Sequence, residues 1–115
     1  MATLASCATT GPKKPIAATP TCSTDADCAT KWAMARTYVL DHARMKIQNY
    51  SADYMETYGS TNMSLAAQVN KQPSPGGGFL IVAKFWCGSI LICFPDQWDT
   101  LDEFNRTVAA TGVQH

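Results

Sequence analysis

Met45-Lys46-Ile47-Gln48-Asn49-Tyr50-Ser51-Ala52-Asp53-Tyr54-Met55-Glu56-Thr57-Tyr58 is the stretch that decides the fold of this chain. Two periodicities fit it. Met45, Ile47 and Asn49 alternate with Lys46, Gln48 and Tyr50, Ser51-Ala52-Asp53 has turn chemistry, and the chain then resumes a strand-like pattern through Tyr58. Tyr50, Tyr54 and Tyr58 also fall four apart, as they would on one face of a helix. The hairpin is favoured, because Tyr, Thr and Ile suit strands and the alternative helix would exceed about 30 residues in a small domain.

Upstream of the hairpin, Thr24-Asp25-Ala26-Asp27 has the form of a capping box with Asp in place of Glu, and its acids suit the positive end of a helix. Cys28, Trp32, Ala35, Val39 and Ala43 recur on one face, with Lys31, Arg36 and Asp41 mostly elsewhere, so a helix is predicted over about 25–43. His42 and Arg44 then meet the negative helix end. Downstream, Gly59-Ser60-Thr61-Asn62 reads as a loop, and Met63, Leu65, Ala67 and Val69 as the buried side of a strand. Pro73-Ser74-Pro75-Gly76-Gly77-Gly78 lacks the context of a phosphate-binding loop and is predicted to turn a hairpin.

The strongest strand runs over 79–87, with Phe79, Ile81, Ala83, Phe85 and Cys87 on one side and Leu80, Val82, Lys84 and Trp86 on the other. Apolar groups on both sides make it a central strand. Pro95 suits a first helical turn, Asp96, Asp99, Asp102 and Glu103 load its start, and Trp98, Leu101, Phe104 and Val108 form the stripe, with Gly112 as the stop. The expected fold is α+β: an N-terminal helix, an antiparallel sheet of three to four strands and a C-terminal helix, in a two-layer sandwich with both helices on one face.

The 115 residues divide into a Pro/Thr-rich tether over 1–21 and one globular domain over 22–115. Nine basic residues balance nine acidic ones, with no basic stripe interleaved with aromatics, so nucleic acid is not an expected partner, and a monomer is expected. Apolar runs such as 79–83 fall far short of the about 20 residues of a spanning helix, which leaves lipid as the route of any membrane attachment. Beyond Cys7, the cysteines Cys22, Cys28, Cys87 and Cys93 form an even set, read as two disulfides in an exported chain. Three pairings are possible, and the local one, 22 with 28 and 87 with 93, needs only short loops. A zinc site of four thiolates competes, although five residues between paired ligands exceed the usual two to four.

No catalytic set, cofactor site or metal site is expected. His115 is terminal, His42 reads as a helix-end cap, and the carboxylates Asp96, Asp99, Asp102 and Glu103 read as a solvated helix start. Cys87 and Cys93 lack redox-pair spacing. The candidate binding surface is aromatic: Trp86 and Lys84 share a strand side, and Tyr50, Tyr54 and Tyr58 are expected on the solvent side of the neighbouring hairpin.

Leu4-Ala5-Ser6-Cys7, followed by Ala8, Thr9, Thr10 and Gly11, resembles the lipobox of bacterial lipoproteins, in which the cysteine becomes the acylated first residue. Six residues precede Cys7, so the lipobox reads as truncated, with the basic and apolar parts of a signal segment expected upstream. With Asp27-Cys28-Ala29-Thr30-Lys31-Trp32, Phe85-Trp86-Cys87, Cys93-Phe94-Pro95 and Phe104-Asn105-Arg106, the chain resembles uncharacterised small proteobacterial lipoproteins. Its element order is loosely similar to the helix-grip domains of lipoproteins accessory to outer-membrane assembly. The resemblance implies a lipid on Cys7 and, with Ala8 rather than aspartate next, the outer membrane facing the periplasm. The function expected is non-enzymatic, a binding or assembly domain with an envelope protein, peptide or glycan partner. Two alternatives stay open: an inhibitor of an envelope hydrolase presenting loop 88–92, and a small glycan-acting enzyme with a cleft joining His42 to acidic residues.

Overall fold

The computed structural model describes residues 12, 14–89 and 92–112. Cys7, Lys13, Ile90, Leu91 and His115 therefore lie outside the described residues. The elements are β1 (Thr21–Cys22), α1 (Asp25–His42), β2 (Ile47–Tyr50), β3 (Tyr54–Thr57), β4 (Ala66–Pro73), β5 (Phe79–Trp86) and α2 (Gln97–Ala110). Residues 45–58 form the hairpin rather than a helix. The strands make one antiparallel sheet in the order β1-β5-β4-β3-β2. The architecture is thus the expected α+β sandwich, with five strands instead of three or four.

The additional strand is β1. Thr21 pairs with Leu80, Cys22 pairs with Phe79, and the Ile81 amide donates to the Pro20 carbonyl at 2.9 Å. Proline has no N–H to return, which ends the ladder there. The preceding residues then run along α2: the Ala17 amide donates to Asp102 Oδ1 and Asn105 Nδ2 donates to the Ala17 carbonyl, each at 2.8 Å, and Lys14 lies 3.9 Å from Asp99. The expected tether is docked from about residue 14 onward and acts as a strap across the second helix.

Helix α1 begins as predicted: Thr24 Oγ1 accepts from the Asp27 amide at 3.0 Å, and Asp25 and Asp27 occupy the first turn. Its buried face is Cys28, Lys31, Trp32, Ala35, Tyr38 and Val39, so Lys31 and Tyr38 join the predicted stripe while Ala43 becomes the C-cap. Lys31 is buried at no loss of hydrogen bonding, because its ammonium reaches the Thr21 carbonyl at 2.8 Å and Asp27 at 3.4 Å. Helix α2 starts one residue after its cap, Asp96, whose carboxylate accepts from the Trp98 and Asp99 amides. Pro95 thus precedes the helix rather than entering its first turn.

Both helices cover the sheet face that carries Met55, Ala67, Val69, Ile81 and Phe85, with Leu65, Phe104 and Val108 completing the core. Tyr38, Phe85 and Phe104 meet edge to face with centroids 5.5 to 6.3 Å apart, the arrangement that ring quadrupoles favour. Both local disulfides are formed, Cys22 with Cys28 and Cys87 with Cys93. The loop between β4 and β5 depends on Gly78, whose φ is +70° and whose absent Cβ leaves room for the Cys22 carbonyl.

Candidate functional site

Strand alternation turns Leu80, Val82, Lys84 and Trp86 of β5 away from the helices. Register brings Ala66, Gln68, Asn70 and Gln72 of β4 and Tyr54 and Glu56 of β3 beside them. Trp86 is half-buried, and its cross-strand partner Ala66 is fully buried. The exposed Lys84 holds its ammonium 5.6 Å from the Trp86 ring centre, within cation–π range. Next to it, Gln68 Nε2 donates to the Tyr54 hydroxyl at 2.8 Å, and Asn49 Nδ2 donates to Glu56 at 2.9 Å. The result is an uncovered sheet face carrying an indole, a phenol, a cation and a row of amides. Rings offer flat apolar area and amides offer directed hydrogen bonds, a combination suited to peptide or glycan.

The three tyrosines do not share this face. Tyr54 lies on it, but Tyr50 pairs with Met55 and packs on the helix side, 6.5 Å from Trp32 and 4.9 Å below the Arg36 guanidinium. The turn sets this: the Ser51 amide donates to the Tyr54 carbonyl at 2.8 Å, so Ala52 and Asp53 alone form the loop and Tyr50 faces Met55, while a bulge between Ile47 and Asn49 returns Ile47 to the same side. Tyr58 lies just past β3 and is exposed. Tyr50 is thereby removed from the predicted surface, while Trp86, Lys84 and Tyr54 remain together.

A second concavity lies where α1 ends and α2 begins. His42, Asp99, Thr100, Asp102, Glu103, Arg106, Lys14 and Pro95 line a cleft of about 300 Å³. The Tyr38 hydroxyl donates to Glu103 at 2.6 Å, and the His42 ring stacks on Tyr38 with centroids 3.8 Å apart. His42 Nδ1 lies 3.0 Å from the Tyr38 carbonyl, so it carries the proton, and Nε2 faces Glu103 at 3.7 Å. Burial, and then the Glu103 carboxylate accepting its proton, push the Tyr38 phenol well above the usual range. The Ala17 amide and the Arg106 guanidinium hold Asp102 below the ordinary carboxylate value.

A third feature lies at the disulfide between Cys87 and Cys93. The Gly88 amide donates to the Asn62 carbonyl and the Phe94 amide to the Met63 carbonyl, each at 2.8 Å. A groove of about 410 Å³ there is lined by Arg44, Asn62, Met63, Ser64 and Phe94. Met63 was expected on the buried side of a strand. It is 49% exposed because β4 starts only at Ala66. Among the described residues no group of three or more His, Cys, Asp or Glu side chains is placed to hold a metal ion. Likewise no described helix is long and apolar enough to cross a membrane. Comparison with protein-family models, curated proteins and solved structures returned no match to this chain.

Proposed function

We propose that this chain is an exported lipoprotein, acylated on Cys7 and facing the periplasm from the outer membrane. Its domain binds an envelope protein, peptide or glycan without chemical turnover, across the open sheet face at Trp86, Lys84 and Tyr54. The observation that carries the reading is the pair of closed disulfides, since such bonds persist in oxidising compartments and are reduced in the cytosol. Intact mass with thiol alkylation before and after reduction tests it. Four cysteines protected until reduction, and an acyl mass on Cys7 in envelope-expressed protein, are the expected results. Four freely alkylated thiols would return the chain to an intracellular reading.

For the surface, Trp86→Ala is expected to abolish capture of the cross-linked envelope partner while lowering the melting temperature by only a few degrees. A collapse in stability would instead make Trp86 a packing residue. The cleft at His42 supports a second reading, a small glycan-acting enzyme, because it joins the histidine to Asp99, Asp102 and Glu103. Retaining and inverting glycosidases need one carboxyl with a raised pKa as acid, whereas Asp102 is held low. Turnover of peptidoglycan that His42→Ala and Glu103→Gln both remove would establish the enzyme. The inhibitor reading rests on loop 88–92, and inhibition of host muramidases or proteases would support it.

A further inference from the structure

Three large apolar side chains stand out of the domain at one end. Met63, Ile92 and Phe94 are 49%, 55% and 66% exposed. Scattered apolar groups need no explanation, but Met63 and Phe94 line one groove, Ile92 stands two residues before Phe94, and all three are held in place. Ser64 and Phe94 form a parallel bridge, the Phe94 amide bonds Met63, and the disulfide to Cys87 fixes the buried Cys93 between Ile92 and Phe94. Arg44 lines the same groove, and its guanidinium has no ion pair among the described residues. The acids around the start of α2 are by contrast engaged: Asp96 caps the helix, Asp99 lies by Lys14, Asp102 binds Arg106 and Ala17, and Glu103 accepts from Tyr38.

The strap leads to this same end. Lys14 reaches Asp99 in the first turn of α2 and shares a cleft with Pro95, the neighbour of Phe94. Cys7 lies seven residues further upstream, so it stands at most about 25 Å of extended chain from Lys14. A lipid on Cys7 therefore holds this end of the domain within that distance of the bilayer. From these observations we infer that this end is a bilayer-docking surface. Met63, Ile92 and Phe94 enter the interfacial layer, and Arg44 meets a lipid phosphate. The inference rests on the reading of Cys7 as the anchor.

The test uses the chain with both disulfides intact, in which Cys7 is the cysteine left for coupling. A maleimide-bearing phospholipid on Cys7 anchors it to vesicles of phosphatidylethanolamine and phosphatidylglycerol whose acyl chains are brominated. The anchored F94W chain is expected to lose at least twofold more tryptophan emission than the anchored parent, and Arg44→Gln or Met63→Ser is expected to reduce that difference. In the parent, amide exchange at residues 92–94 is expected to slow several-fold on anchoring, a readout that needs no substitution. Equal quenching of the two chains, or exchange unchanged by anchoring, overturns the inference and leaves the patch to a protein partner. Because the coupling is chemical, the result does not depend on whether a cell acylates Cys7, which the mass of the envelope-expressed chain decides separately.

Discussion

The two disulfides close loops of the same length, six residues from cysteine to cysteine, and differ in everything around them. Chain entropy treats them alike, at about 2–3 kcal/mol each. Cys22 and Cys28 are both buried, 3% and 4% exposed, at the corner where β1 passes into α1. Gly78 abuts the Cys22 carbonyl and Lys31 reaches Thr21 there. Cys93 is buried but Cys87 only half so, and their loop carries Ile92 outward. One staple fixes where the sheet meets a helix, and the other holds apolar groups outside the core. Equal covalent closure therefore does not mean equal structural weight.

Replacing Cys22 and Cys28 together by alanine should lower unfolding free energy by about 4–5 kcal/mol, the loop contribution plus lost core packing. The same exchange at Cys87 and Cys93 should lower it by about 2–3 kcal/mol. Equal losses in urea unfolding would break the comparison. Glycines sharpen it at the next level. Gly78→Ala combines a positive φ with a clash against the Cys22 carbonyl, and a loss of about 3 kcal/mol is expected. Gly88→Ala has no positive φ but would meet the Ser60 carbonyl oxygen and the Thr61 Cα and carbonyl carbon, each at 2.6 Å and all backbone, so a loss of about 2–3 kcal/mol should appear in the same measurement.

Tyr38 ties the helix that begins at the first staple to the helix that follows the second, through Glu103 and the Thr100 carbonyl. Tyr38→Phe is expected to lose about 1–1.5 kcal/mol. The phenol is held neutral in the fold, so its contribution is complete below the unfolded value of about 10 and falls as pH rises beyond it. The urea midpoint of the parent should therefore drop above that pH, and some of the drop should vanish in Tyr38→Phe. The smallest effect is expected at Asp102→Ala, near the limit of what a urea midpoint resolves, because solvent screens the pairing of a surface carboxylate. It should free the strap, seen as faster exchange of the Ala17 amide. With Asp102 held low, the same release is expected in the parent only as pH falls below the ordinary carboxylate range.

What the sequence made legible was local. The cap at Thr24, the hairpin over 45–58, the alternation in β5 and the short disulfide loops each depend on neighbours a few residues away. Lys31 was hidden because its charge argues for solvent, and only the Thr21 carbonyl and Asp27 together make its burial tolerable. A three-residue turn over 51–53 would pair Tyr50 with Tyr54, whereas the turn formed has two residues and pairs it with Met55, and the bulge beyond Asn49 puts Ile47 on the same side, a break in alternation that period-two reasoning has no means to anticipate. The strap was hidden for the same kind of reason. Its Pro/Thr composition suits a free linker, and it is held by Asp102 and Asn105, more than 80 residues away in sequence.

The strap also sets how this molecule bears load. A pull applied upstream of Lys14 arrives first at the two hydrogen bonds of Ala17, which break in turn and release slack. Next in series comes the two-residue pairing of β1 with β5. Beyond that the covalent link from Cys22 to Cys28 carries the load past residues 23–27 and directly into the first helix, so the segment between the cysteines adds no length. The chain is thus loaded in steps: the strap yields before the sheet edge, and the stretch between the two cysteines cannot lengthen while their bond is closed.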